Sequence, residues 1–157
     1  MTIPDLPLPR TLAALRLATG LVLAGAAMAQ AQTTAASLEV LVPQVRNTKG
    51  GVGCQLFASA QGFPKEGGRA LQAVMAPITQ GSARCQFQPV PAGTYAVAVV
   101  HDENGNQALD SNFLGVPTEG YGVSNNRTYA LSEPRWDESR FDLAAGETRQ
   151  LTIQLRY

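Results

Sequence analysis

The chain has 157 residues, 12 Lys or Arg against 12 Asp or Glu, and only 15% charged residues. So even a balance, with no run of either sign, argues against nucleic acid or an anionic membrane surface as partner. The length left for a folded part suits one domain that can bury a core without metals or staples.

The first segment places Arg10 and Arg16 before an apolar run at 17–27, followed by the small residues Ala27 and Ala29 around Met28. This order is that of a secretory signal peptide, expected over 1–29 with cleavage after Ala29. The run is well short of the roughly 20 residues a membrane helix needs, and no later segment approaches that length, so no membrane span is expected. A short leader over 30–36 would precede a single domain at 37–157, exported and therefore periplasmic or secreted. Cys54 and Cys85 would then meet oxidising conditions, where an even count points to a disulfide. Zinc is disfavoured because His101 is the sole histidine.

From Leu38 onward the apolar residues alternate. Leu38, Val40 and Val42 precede Pro43, and Val52, Cys54 and Leu56 follow the turn at Lys49-Gly50-Gly51, which reads as a first hairpin. A loop over 61–68 leads to a short strand at 70–75 that stops at Pro77. Cys85 and Phe87 alternate with polar neighbours before a turn at Pro89, Pro91 and Gly93. The run at 94–100, TYAVAVV, is apolar on both faces and predicts a central strand covered on both sides. A short strand at 140–143 and a long one at 148–157 close the chain, the latter with Leu151, Ile153, Leu155 and Tyr157 facing inward. About seven short strands and no helix after the signal peptide predict an all-β fold, a single antiparallel β-sandwich, with a barrel as runner-up.

The central strand delivers His101 and Asp102 to an Asp/Asn-rich stretch at 102–126. Asp102, Asn104, Asn106, Ala108 and Asp110 place oxygens at positions one, three, five, seven and nine of an EF-hand type loop, making calcium the candidate ion. Gln107 occupies the sixth position, where such a loop turns on Gly, and Phe113 the twelfth, where it ends on Glu. The competing reading is that the same side chains cap their own backbone in Asx-turns.

Gly93-Thr94-Tyr95-Ala96, His101-Asp102, Asn104, Asn106, Leu109-Asp110, Asn112, Gly115, Pro117, Glu119, Tyr121-Gly122 and Ser124-Asn125-Asn126 form a pattern that resembles an exported bacterial family catalogued as domain of unknown function 2141. The resemblance covers about 38–157. It implies a transthyretin-like or carboxypeptidase-regulatory-like sandwich in a cell-envelope or secreted setting and implies no established activity. Gln107 departs from the glycine expected in that family's loop.

Catalysis has little to stand on in one His. A triad of His101, Asp102 and Ser124 is disfavoured because adjacent strand residues point to opposite faces. His101 is instead expected to bond Glu119 or a backbone carbonyl. Asp110 and Glu119 form a glycosidase pair only if their separation allows it. The leading expectation is a non-catalytic binding or structural module whose surface comprises His101, Asn112, Glu119, Tyr121, Ser124, Asn125 and Asn126, with a protein or glycan of the envelope as partner. The alternatives are an envelope hydrolase using His101 and the acidic residues, or a carbohydrate-binding domain using Tyr121, Tyr129 and Trp136.

Overall fold

A computed structural model of the chain describes residues 34–127 and 132–157. The expected signal peptide, most of the leader, and Tyr129 lie outside the described residues. Eight strands form among those described: β1 (Ala36–Val42), β2 (Gly51–Phe57), β3 (Gln72–Ala76), β4 (Ala83–Val90), β5 (Gly93–Asp102), β6 (Gly120–Val123), β7 (Phe141–Leu143) and β8 (Thr148–Thr152). One sheet has the order β4-β1-β8 and the other β3-β2-β5-β6, with β7 paired to the start of β5. The all-β sandwich is therefore the fold. One pair departs from antiparallel, since β8 runs parallel to β1.

The expected first hairpin does not form: β1 pairs with β4 and β8, and β2 with β3 and β5. Leu38, Val40 and Val42 of β1 and Val52, Cys54 and Leu56 of β2 are all fully buried in one cluster, so the two strands face each other across the core instead of lying side by side. Eight residues, Pro43 to Gly50, carry the chain from one layer to the other. They turn through positive φ at Gln44 (55°) and Gly50 (60°). Across the same core a disulfide joins Cys54 on β2 to Cys85 on β4, tying the two sheets. Closing a loop of this size contributes about 3 to 4 kcal/mol by the chain-entropy account.

Strand β5 is covered on both faces, as its composition predicts. Tyr95, Val97 and Val99 enter the main core. Ala98 lies on the opposite face with Phe57 and Val123, beneath Phe63, Ala70 and Trp136. Phe63 stands edge-on to Phe57 (centroids 5.5 Å apart) and to Trp136 (5.8 Å). Trp136 belongs to a single helical turn, α1 (Trp136–Ser139), which the strand periodicity had not announced.

The last strand is shorter than its alternation suggests. β8 ends at Thr152, and the segment after it crosses from one sheet to the other. Ile153 donates to the Leu41 carbonyl on β1, while Tyr121 of β6 and Arg156 exchange two backbone hydrogen bonds. Ile153 is buried, but Tyr157 is 46% exposed and does not belong to the core. This crossing closes one side of the sandwich.

Candidate functional site

The loop between β5 and β6 runs from residue 103 to 119. The expected loop is thus shorter than 102–126, because Gly120–Val123 pairs with Ala98–His101 as β6 and Ser124–Asn126 forms a 3-10 turn. Asp102 is buried at the loop's root, with 2% exposure. Its Oδ1 accepts the N–H groups of Gly105 (2.7 Å) and Asn106 (3.1 Å), and its Oδ2 that of Gln107 (2.7 Å). Gln107 does adopt the left-handed backbone that favours glycine, with φ 62°.

Asn104 Oδ1 accepts the Asn106 N–H, and Asn106 Oδ1 accepts the Ala108 N–H. These bonds orient both amides so that their Nδ2 groups donate to Asp110, from Asn104 to Oδ2 at 2.6 Å and from Asn106 to Oδ1 at 3.0 Å. Glu119, also buried, completes the frame by accepting the Glu103 N–H on Oε1 (2.8 Å) and the Asp110 N–H on Oε2 (3.0 Å). Four of the five candidate calcium positions, Asp102, Asn104, Asn106 and Asp110, are thus brought together, but their side-chain oxygens are aimed at N–H donors. Calcium needs six to eight converging oxygens, and nitrogen donors around Asp110 do not fit that cage. Among the described residues no group of three or more His, Cys, Asp or Glu is placed to hold a metal ion.

Beyond Asp110 the loop projects a tip. Ser111 bridges Pro117, and Asn112 organises what lies between. Its Oδ1 accepts the N–H groups of Leu114 and Val116, its carbonyl accepts that of Gly115, and its own N–H goes to the Val116 carbonyl. The tip exposes Phe113 (95%), Leu114 (71%) and Val116 (54%).

Of the expected binding surface, His101, Glu119 and Ser124 are buried. His101 lies on the same face of β5 as Val97 and Val99, so it points toward the core. Its Nε2 is 3.0 Å from the Lys49 carbonyl and its Nδ1 3.0 Å from the Tyr157 hydroxyl. A carbonyl only accepts, so one proton on Nε2 satisfies both contacts. The expected carbonyl partner is present, but Glu119 caps the loop instead. Ser124 Oγ accepts the Val97 N–H and donates to the Ser139 carbonyl, sharing no partner with His101. Asn125 donates to the carbonyls of Glu138 and Arg140, and Asn126 clamps Thr152 and Gln154. These two are braces between segments, and their positive φ values of 65° and 51° suit asparagine. Tyr121 and Asn126 line a groove of about 280 Å³ together with Arg127 and Gln154.

Sequence reasoning missed the support beneath the loop. Glu103 accepts Arg46 Nε on Oε1 and Asn47 Nδ2 on Oε2, and Arg46 also donates to the Thr118 carbonyl. The Arg46 guanidinium lies 4.3 Å from the Tyr157 ring centroid. The hydrogen bond from Asn47, with Arg46 beside it, holds the Glu103 carboxyl below its ordinary pKa. No periodicity links residues 46, 103 and 157, and only the fold brings them together.

No curated protein and no solved structure matches the chain. A family model does, over residues 40–151, which is most of the chain, and its description is an uncharacterized protein conserved in bacteria. The capped loop, the central strand that feeds it and the Tyr-Gly segment of β6 all fall within that span, and on this match the chain belongs to the bacterial family DUF2141.

Proposed function

We propose that this is a non-catalytic exported binding module of the cell envelope whose functional face is the tip of the 103–119 loop. The observation that carries the reading is the contrast within that loop. Asp102 and Glu119 spend their oxygens on backbone N–H groups and Asp110 on the side-chain amides of Asn104 and Asn106, whereas Phe113, Leu114 and Val116 face solvent. Exposing three apolar side chains on a braced loop gains nothing for folding, and such patches mark interaction sites. The hydrolase alternative has less support, since both His101 nitrogens are engaged, Glu119 caps two backbone N–H groups and Asp110 is held by the Asn104 and Asn106 side chains. Trp136 packs against Phe63, which weakens the carbohydrate-stacking alternative.

In this reading the loop holds itself without calcium. Melting in excess calcium and in excess chelator should give the same midpoint. A calcium-dependent rise that Asp110→Ala abolishes would restore the ion to the function. The face itself is tested by binding to envelope extracts with Phe113→Ser/Leu114→Ser. Undiminished binding by this variant would remove the tip from the function.

A further inference from the structure

We propose that the tip at 111–118 docks on the surface of a lipid bilayer, inserting Phe113 and Leu114 at the boundary between headgroups and acyl chains. This rests on the reading of the loop as the functional face and names its partner.

Three features favour a bilayer over an apolar pocket in another protein. First, the eight residues from Ser111 to Thr118 carry no charge, so no ionised side chain has to lose its water on insertion. Second, four of the five backbone N–H groups from Asn112 to Val116 are donated within the tip, two of them to the single Asn112 side chain. A protein pocket offers hydrogen-bond partners to an entering loop. A lipid phase offers none in its interior, which favours a tip whose backbone largely satisfies itself. Third, the flanking carboxylates are retracted: Asp110 is bonded by Asn104 and Asn106, and Glu119 is buried beneath the loop. Arg46, which is bonded to this loop at the Thr118 carbonyl, has its charge paired with Glu103. Attraction to anionic headgroups is therefore not the driving force. The contact is shallow, resting on three apolar side chains, and reversible.

The test uses Phe113→Trp in the full chain, with the unsubstituted protein, which retains Trp136, as background. Vesicles of phosphatidylcholine should shift the emission of the introduced indole, taken as the difference from that background, to shorter wavelength. Lipids brominated on the acyl chain should quench it. Raising salt from low to physiological strength should leave the partition unchanged, because no charge pair is screened. Adding Leu114→Ser should weaken the partition about tenfold, the scale of one apolar side chain returned to water. The inference is overturned if vesicles leave the emission unmoved, if salt abolishes the shift, or if Leu114→Ser has no effect. Emission that ignores vesicles but moves with envelope proteins would overturn lipid docking and keep the tip as the functional face. Emission that moves with neither would overturn both.

Discussion

Asp102, Asn104, Asn106 and Asp110 show why one residue pattern carries two chemistries. A calcium loop and a series of Asx-turns both need short side chains with oxygens at alternate positions of a tightly curled backbone. The spacing was legible from the sequence, but whether the oxygens meet a cation or the loop's own amides was not. The structure shows the amides, with three donated to Asp102 alone. Because Asp102 is buried and each of those bonds is charge-assisted, Asp102→Ala leaves several donors without a partner at the loop's root. It should destabilise the domain by about 3 kcal/mol, read as a lower denaturant midpoint with an unchanged slope. Asp102→Asn keeps one acceptor oxygen and should cost less than the alanine substitution. Equal losses for the two would mean that the carboxylate's bonds do not hold the loop.

Among the elements, those with strong periodicity were readable and those shaped by close approach were not. β4, β5 and β7 fall where alternation places them, because one or both of their faces pack on apolar neighbours. β6 was hidden inside the loop because its sequence, Gly-Tyr-Gly-Val, looks like a turn. Those glycines serve the crossing C-terminal segment. A Cβ at Gly122 would lie 2.6 Å from the Gln154 carbonyl oxygen and 2.9 Å from an Ile153 methyl, so the chain comes too near for any side chain. β8 was overread for the complementary reason. Leu151, Ile153, Leu155 and Tyr157 keep the period of a strand while the chain leaves one sheet for the other. Gly122→Ala is therefore expected to push the 153–157 segment away from β6 and cost about 2 kcal/mol, on the scale of an overpacked core. Hydrogen exchange should then quicken at the Tyr121 and Arg156 amides, which pair with each other, while β2 amides stay protected. Unchanged exchange at those two amides would show that the crossing segment adapts.

At the scale of the whole molecule the tip and the fold are separable, and Glu103 is where the rest of the structure meets the loop. Its carboxylate gathers Arg46 and Asn47 from the connection between the two sheets, and Arg46 in turn reaches Thr118 and the ring of Tyr157. One ionised group thus fastens the first interlayer crossing to the loop and to the C-terminus. Its pKa is held below the ordinary carboxylate range by the Asn47 hydrogen bond and by Arg46, so over the acid window the unfolded chain binds the proton more readily than the folded one. Stability from this group is fully present above the ordinary value of about 4.3 and is lost as pH falls through the lower folded value. Glu103→Gln should therefore lower stability by about 1 kcal/mol at neutral pH. The gap between the two proteins should narrow steadily below about pH 4, as the wild-type carboxyl takes up its proton. Denaturant melts across that range measure the gap directly. A gap that stays constant down to the acid limit would assign the loss to side-chain shape and not to the charge. Phe113 and Leu114 are exposed and are not among the residues this network joins, so Phe113→Ser/Leu114→Ser should leave the same melts unchanged.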